Sequence, residues 1–253
     1  AIDIGTTSNV VYLVDLRQGK VLDRASAYNA QIQAGEDVIS RIIFSQKRGG
    51  LERLQKLVLK TINGLLDELT TRHQIEPRQI SKAVVAGNTT MIQLFLALDP
   101  KYLREMPFIP TVSQPLPVTA ETIGLNINPQ ATVDCLPVVG AYVGADITAG
   151  ILAAGMHDTD KLTLFIDVGT NGEIVLGNRD WLITCACSAG PAFEGSGVRH
   201  GMRATAGAIE EIWIDHRTYE PTYETIGGLP ARGICGSGMI GLLAEMFITG
   251  ILD

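Results

Sequence analysis

Two short segments of similar sequence lie far apart in the chain. One reads AIDIGTT from residue 1, the other reads FIDVGTN up to residue 171, and their aspartates, Asp3 and Asp167, are 164 positions apart. Each segment is followed by an apolar stretch, a turn that contains Arg17 or Arg179, and a second apolar stretch. The repetition predicts an internal duplication in which each copy opens with short strands joined by tight turns.

The regular elements after each segment are unequal in number. The first copy predicts strands at 1–5, 9–15, 20–28 and 82–86, and helices at 51–73, from Thr89 or Thr90 through Leu98, and at 143–155. It also predicts a Pro-rich crossover, rather than regular structure, at 107–137. The second copy predicts strands at 162–168, 172–177 and 181–187, a strand pair or insertion at 204–215, and a helix at 239–250. We therefore expect an α/β chain with lobes at 1–158 and 159–253, the second lobe being incomplete.

Composition excludes several classes of function. The 253 residues carry a formal net charge of −7, so a nucleic-acid partner is not expected. No apolar run reaches the ~18 residues of a membrane span, and no signal peptide is visible. The four cysteines (Cys135, Cys185, Cys187 and Cys235) show no C-x-x-C spacing, which argues against a zinc ribbon or an iron–sulfur cluster. We expect buried thiols in a reducing cytoplasm.

The two D-x-G-T segments carry the groups that a nucleoside triphosphate needs. A glycine lets the backbone approach a phosphate, threonine hydroxyls donate to phosphate oxygens, and a strand-end carboxylate can hold water ligands of Mg²⁺. Asp3 and Asp167 are the expected magnesium residues. The expected phosphate ligands are Gly5, Thr6, Thr7, Gly169, Thr170, Asn171 and Gly172.

A third glycine-rich segment precedes the last helix. It contains Gly233, Gly236, Ser237 and Gly238, in an order that fits neither a P-loop nor a G-x-G-x-x-G fingerprint. One interpretation is a backbone surface on which adenosine lies, next to a helix N-terminus. The other is an ordinary helix-entry loop capped by Ser237.

The ordered set of motifs resembles the phosphate-one, phosphate-two and adenosine motifs of the actin, sugar-kinase and heat-shock-chaperone superfamily. The resemblance implies a duplicated RNase H-like (actin-like ATPase) fold that binds ATP and Mg²⁺. It also places Asp146 where the chaperones have a glutamate that positions the attacking water. Asp3, Asp146 and Asp167 are therefore the expected catalytic residues.

Longer strings are similar to one branch, the reductive activators of corrinoid proteins. These strings are GEDVISRI (35–42), AGNTTM (86–91), DVGTNGEIVLGN (167–178), AGPAFEG (189–195), HGMRA (200–204) and GICGSGMI (233–240). The resemblance implies a cytoplasmic ATPase that drives the reduction of a Co(II) corrinoid protein to Co(I). It also implies a [2Fe–2S] cluster on a separate N-terminal domain, and a homodimer. The partner would be a corrinoid iron–sulfur protein or the corrinoid subunit of a methyltransferase.

Other interpretations remain open at the level of the residues. A small-molecule kinase of the same fold would need a base such as Asp146 or Glu173. A non-hydrolysing module would use ATP only to fix its conformation. Glu194 is a candidate for a function that is specific to the corrinoid-activator branch. Arg199 and Arg203 are candidates for contact with a phosphate or an acidic partner.

Overall fold

The computed structural model describes residues 1–169, 171–188 and 198–252. Its internal contacts divide the chain into two compact units. The first unit comprises Ala1–Phe165 and Leu176–Leu182, and the second comprises Ile166–Val175 and Ile183–Asp253.

A six-stranded mixed sheet organises the first unit. Its strands are β1 (Ile2–Ile4), β2 (Ser8–Asp15), β3 (Lys20–Tyr28), β4 (Lys82–Gly87), β5 (Val118–Thr119) and β6 (Thr132–Cys135). The spatial order is β3-β2-β1-β4-β6-β5. The hairpins β1–β2 and β2–β3 are antiparallel, whereas β4 runs parallel to both β1 and β6. The parallel pairs bring the carboxyl ends of β1 and β4 to the same edge, where ligands of α/β sheets commonly bind.

Helices surround this sheet and form the core with it. They are α1 (Val38–Ser45), α2 (Gly50–His73), α3 (Thr89–Phe95), α4 (Lys101–Arg104), α5 (Ala120–Ile123) and α6 (Ala145–Ala153). The apolar residues that predicted α2 from their helical spacing are its buried face: Leu54, Val58, Ile62, Leu65, Leu66 and Leu69. These side chains belong to the hydrophobic core together with those of Ile2, Ile4 and Val11 from the sheet.

Two local predictions in the first unit are wrong. The cap of α3 is Asn88, not Thr89 or Thr90, because the Asn88 side chain accepts the Met91 N–H at 3.0 Å. The Pro-rich crossover also contains regular structure, since β6 lies within it and buries Val133 and Cys135 on alternate positions.

Burial raises the pKa of the Cys135 thiol to about 12.

Small residues in α6 permit the close packing that its sequence predicts. A Cβ on Gly144 would lie 2.5 Å from the Asn88 Cα, and one on Gly150 would lie 2.4 Å from the Phe165 ring. A larger side chain at Gly144 would therefore push α6 away from the start of α3, and one at Gly150 would push it away from Phe165.

Two three-stranded sheets and a helix follow α6. The first sheet has the order β7 (Thr163–Val168), β8 (Asn171–Asn178), β9 (Trp181–Ser188), and the second has the order β11 (Pro221–Thr225), β10 (Ala208–Ile214), β12 (Gly233–Ile234). Helix α7 (Gly236–Ile248) packs on β10, where its Glu245 carboxylate accepts the Ile214 N–H at 2.9 Å. The strand pair or insertion predicted at 204–215 is thus a single sheet strand, β10, whose partner β11 lies outside that range.

The cysteines and helices bear on two expectations from composition. Cys135 and Cys235 are buried, but Cys185 and Cys187 are exposed, so the expectation of buried thiols is wrong for the pair on β9. In the part of the chain that the structure describes, no helix combines the length and apolarity that crossing a membrane requires.

A charged cluster ties β3 to the end of α2 and gives a pH-dependent prediction. Arg72 Nη1 lies 2.6 Å and His73 Nε2 lies 2.9 Å from Asp23 Oδ2. The hydrogen bond from Arg72, with a further one from His73, lowers the pKa of Asp23 to about 2. Because the pKa is depressed in the folded state, the stabilisation is complete above the unfolded value of ~3.9 and is lost as the pH falls towards 2.

We therefore expect Asp23→Asn to lower the urea midpoint of unfolding near neutral pH. The difference from the wild-type protein should shrink as the pH falls below about 4. Urea titrations at several pH values measure this difference, and one that stays constant down to about pH 2 would contradict the assignment.

Candidate functional site

The first D-x-G-T segment forms a tight turn between β1 and β2. The Gly5 N–H donates to the Ser8 carbonyl at 3.0 Å and closes the turn. A Cβ on Gly5 would lie 2.5 Å from that carbonyl oxygen, well inside van der Waals contact. Glycine is thus required here by the turn itself.

Three consecutive carbonyls of this turn are bound by one buried polar cluster, which we call the Arg41 cluster (Asn29, Gln31 and Arg41). Asn29 Nδ2 donates to the Gly5 oxygen at 2.9 Å, and the Asn29 backbone N–H donates to the Thr7 oxygen at 2.9 Å. Arg41 Nη2 donates to the Thr6 oxygen at 2.5 Å. The backbone of the turn is therefore fixed from its buried side.

Arg41 is the charged member of the cluster, and it is fully buried. Besides the Thr6 carbonyl, its guanidinium donates to the Gly35 carbonyl at 2.9 Å, to Gln31 Oε1 at 3.2 Å and to the Met91 sulfur at 3.2 Å. Burial lowers the pKa of Arg41 to about 10, so the side chain remains a cation at neutral pH.

The string at residues 35–42 has a structural explanation in these contacts. Asp37 caps α1 by accepting the Ser40 N–H at 2.8 Å and the Ser40 hydroxyl at 2.7 Å. A Cβ on Gly35 would lie 2.7 Å from the Ser40 Cβ and 3.0 Å from the Arg41 nitrogen. Glycine at position 35 and aspartate at 37 together place α1 so that Arg41 reaches the turn.

The string at residues 86–91 contains Asn88, which contacts the side chain of Thr6 in the Gly5 turn. Asn88, which caps α3, donates from Nδ2 to Thr6 Oγ1 at 2.9 Å. Because that hydroxyl oxygen accepts from Asn88, the Thr6 O–H is available to donate in another direction. Gly87 adopts φ +155°, and a Cβ there would lie 2.5 Å from the Ile4 carbonyl oxygen, so β4 meets β1 closely at this edge.

Asp146 lies at the same edge of the sheet, in the first turn of α6. It is half-buried, and its Oδ1 accepts the Ile147 N–H at 2.9 Å. The absence of a side chain at Gly144 brings this turn against Asn88 and Thr89, since a Cβ there would lie 2.7 Å from the Thr89 nitrogen and 2.7 Å from Asp146 Oδ1. Asp146 and the Gly5 turn are thus both adjacent to Asn88.

Asp3 lies in β1 between two buried neighbours, Ile2 and Ile4, and is exposed. Since side chains alternate along a strand, Asp3 points to the sheet face opposite the core. Its cross-strand neighbours are Val10 on β2 and Ala86 on β4. An exposed carboxylate one residue before the end of the strand can accept water ligands of a cation.

Asp167 and Val168 of the second D-x-G-T segment end β7, and Gly169 follows them. Asp167 is half-buried, and the Gly169 N–H donates to the Asn171 carbonyl at 2.8 Å. A Cβ on Gly169 would have its nearest described atom at 3.8 Å, so this glycine, unlike Gly5, is not required by the described part of the chain. Gly172 is buried, and its carbonyl accepts from the Cys187 thiol at 3.2 Å. Thr170 and Glu194 lie outside the described residues.

The glycine-rich segment belongs to β12 and α7 rather than to a loop. Helix α7 begins at Gly236 with Cys235 as its cap residue, so the interpretation of Ser237 as the cap is wrong. Ser237 instead pairs with the Cys235 sulfur at 3.1 Å. A Cβ would lie 2.6 Å from the His200 oxygen at Gly233 and 2.3 Å from the Ile209 oxygen at Gly238, so both glycines are required by packing inside the chain.

The stretch that contains Arg199 and Arg203 runs beside β12. The Met202 N–H donates to the Ile234 oxygen at 2.8 Å, and the Ile234 N–H donates to the His200 oxygen at 2.9 Å. Arg199 is exposed and Arg203 is half-buried.

The sequence did not predict a role for Asn29, Gln31, Arg41 or Asn88. The only signal was that Arg41 and Asn88 lie inside strings that are similar to one protein family. In the described ranges, no group of three or more His, Cys, Asp or Glu side chains is placed to hold a metal ion.

Comparisons with known proteins identify the family. Residues 1–159 match the family model described as the RACo middle region, and residues 161–253 match that of the C-terminal domain of RACo, the ASKHA domain. A solved structure titled reductive activator for corrinoid, iron–sulfur protein is 54% identical, with a TM-score of 0.90, over 100% of this chain and 40% of that one.

Two curated relatives also match along the whole chain. The corrinoid activation enzyme RamQ of Eubacterium limosum is 38% identical over 100% of this chain and 42% of its own length. The [Co(II) methylated amine-specific corrinoid protein] reductase of Methanosarcina barkeri is 24% identical over 100% of this chain and 51% of its own length. The chain thus spans about half the length of these relatives. The predicted family and fold class are confirmed: the chain belongs to the RACo family and has the actin-like ATPase fold of its ASKHA domain.

Proposed function

We propose that this chain is the ATP-binding and ATP-hydrolysing part of an activator that drives the reduction of a Co(II) corrinoid protein to the Co(I) state. Within it, the lobes are residues 1–158 and 159–253. The names of its relatives support the corrinoid substrate, and the family match supports the nucleotide chemistry. We also propose that the protein acts in the cytoplasm and forms a homodimer.

The observation that carries the proposal is the Gly5 turn. Its three carbonyls are held on the buried side by Asn29 and Arg41. A trans peptide directs its N–H away from its carbonyl, so the following amides face the opposite side. Successive N–H groups in a turn form a binding surface for anions such as phosphate. Thr6 and Thr7 add hydroxyls to the first turn. The residues proposed to contact phosphate in the second D-x-G-T segment are Gly169, Thr170, Asn171 and Gly172.

The residues present fit a magnesium ion that is bound mainly through phosphates and water. Magnesium is commonly held by one or two carboxylates together with substrate phosphates, not by a cage of protein ligands. Asp3 is an exposed strand-end carboxylate of this kind, and Asp167 is its counterpart in the second segment. When bound, the ion neutralises charge that develops on the phosphates during transfer.

Asp146 is the residue that we assign to orienting the attacking water. It is half-buried in the first turn of α6, and its Oδ1 is already fixed by the Ile147 N–H. A carboxylate held in this way can accept a hydrogen bond from water without reorganising, which is the requirement for positioning a nucleophile. Gly233, Gly236, Ser237 and Gly238 are proposed to contact the adenosine.

ATP hydrolysis and electron transfer are separate steps in this proposal. Hydrolysis of ATP by water gives ADP and phosphate, and one electron converts Co(II) to Co(I). We propose that the electron comes from a [2Fe–2S] cluster on a separate domain. Nucleotide state can favour the reduced corrinoid protein only through a difference in binding free energy between its two states.

Phosphate release tests the proposal directly. The protein is mixed with MgATP, with and without a Co(II) corrinoid protein and an electron donor, while the absorption spectrum reports Co(I). We expect phosphate release that rises with the corrinoid protein, together with Co(I) that requires ATP. Phosphate transfer to a small acceptor would instead indicate a kinase, and tight ATP binding without phosphate release would indicate a binding module.

A further inference from the structure

Arg41 combines two properties that are seldom found together. It is a fully buried cation, and its hydrogen-bond acceptors within the described part of the chain are all neutral: the carbonyls of Thr6 and Gly35, the Gln31 amide oxygen and the Met91 sulfur. A buried charge is unfavourable unless an opposite charge compensates it. Asp37 favours the charged form, but the effect of burial on the pKa is larger.

The side chain is also attached directly to the candidate phosphate turn. Its Nη2 binds the Thr6 oxygen, so the N–H of the Thr6–Thr7 peptide is directed away from the guanidinium. The flanking carbonyls of Gly5 and Thr7 are held by Asn29, whose side chain also donates to Gln31 Oε1 at 3.3 Å, the same oxygen that accepts from Arg41. An anion on the outer side of the turn would therefore meet oriented amides, with a positive charge behind them.

We propose that Arg41 is a positioning residue for the phosphates of a nucleoside polyphosphate, acting through the Thr6–Thr7 peptide and through its own buried charge. The inference rests on the proposed ATP-binding function and assigns a residue that does not itself touch the ligand. A bound phosphate supplies the compensating negative charge, so ligand binding and the burial of Arg41 stabilise each other.

The geometry also explains why lysine is not equivalent. A guanidinium presents several donors in a fixed fork, which here reach Thr6, Gly35 and Gln31 at the same time. A lysine ammonium keeps the charge but cannot reach all three acceptors from one nitrogen. Comparing Arg41→Lys with Arg41→Met therefore separates the contribution of charge from that of peptide orientation.

The test is calorimetric titration of the protein with MgATP and, separately, with adenosine. We expect Arg41→Met to weaken MgATP binding about 30-fold, and Arg41→Lys to weaken it by a smaller factor, with adenosine affinity unchanged in both. Arg72→Met is the matched control, because Arg72 is exposed and pairs with Asp23 and Glu68 away from the turn. It should bind both ligands like the wild-type protein.

Each result distinguishes the inference from a purely structural role. Equal losses for MgATP and adenosine, or unchanged MgATP affinity with a lower melting temperature, would overturn it. If Arg41→Met does not fold, Arg41→Lys decides: wild-type MgATP affinity in that variant overturns the inference, and a loss confined to MgATP supports it. Failure of the wild-type protein to bind MgATP would overturn the proposed function itself, and the inference with it.

Discussion

Asp3→Asn is expected to slow MgATP hydrolysis by about 10²–10³-fold, because it removes one fixed charge from a site where phosphate charge develops. Asp167→Asn should have an effect of the same order, since the second segment repeats the first. Asp3 is exposed between two buried residues, so the substitution keeps its size and leaves the core intact. The loss should therefore appear in kcat without a fall in melting temperature.

Phosphate release under saturating MgATP measures this effect, and circular dichroism checks the fold. Asp67→Asn is the matched control, because Asp67 is an exposed aspartate on α2. If Asp3→Asn and Asp67→Asn release phosphate at the same rate, Asp3 does not hold the metal. If both Asp3→Asn and Asp167→Asn are active, the duplicated segments are structural turns only.

Leu54→Ala should have the largest effect on stability. Leu54 is fully buried in α2 and belongs to the core that joins this helix to the sheet. Removing three buried carbon atoms and leaving a cavity destabilises a protein by about 3 kcal/mol at such a position. The backbone carbonyl of Leu54 also accepts from Gln31 Nε2 at 3.0 Å, so movement of α2 would disturb the Arg41 cluster.

Leu116→Ala provides the comparison for the same chemical change. Leu116 is 82% exposed, so its truncation should alter the free energy of unfolding by no more than about 0.5 kcal/mol. Urea unfolding of the two variants measures the difference. Similar midpoints for Leu54→Ala and Leu116→Ala would show that α2 does not form the core described above.

The sequence predicts the features that follow from periodicity and from repetition. The helical spacing of the α2 leucines predicts a helix within one residue of its observed start, because burial of one face determines the pattern. The two D-x-G-T segments predict two strand–turn–strand units, and the strands on either side of each segment are present, β1 and β2 for the first and β7 and β8 for the second. Gly5 was predicted to leave room for a phosphate, which stays a prediction; the structure adds a separate reason for glycine, the Ser8 carbonyl in its own turn.

Other features depend on contacts that leave no periodic signal. The hydrogen bond from Arg41 to Thr6 joins residues whose proximity follows only from the folded position of α1. Strand β6 has only four residues and lies among prolines, so its alternation is too short to recognise. Helix α7 begins at Gly236, earlier than predicted, because the glycines before residue 239 look like loop residues in the sequence. In the structure Gly238 lies inside the helix, where the nearby Ile209 carbonyl leaves no room for a side chain.

The contacts that hold Thr6 also have a consequence for the order of events in folding. The hairpins β1–β2 and β2–β3 join neighbours in the chain, whereas Arg41 and Asn88 reach Thr6 across 35 and 82 residues. Closing loops of that length costs entropy that short hairpins avoid. The strands around the Gly5 turn can therefore pair early, but the turn acquires its contacts to Arg41 and Asn88 only after α1 and α3 have docked. Hairpin formation and completion of the Gly5 turn are thus separate events, and a chain in which only the hairpins have paired would lack the contacts that hold Thr6.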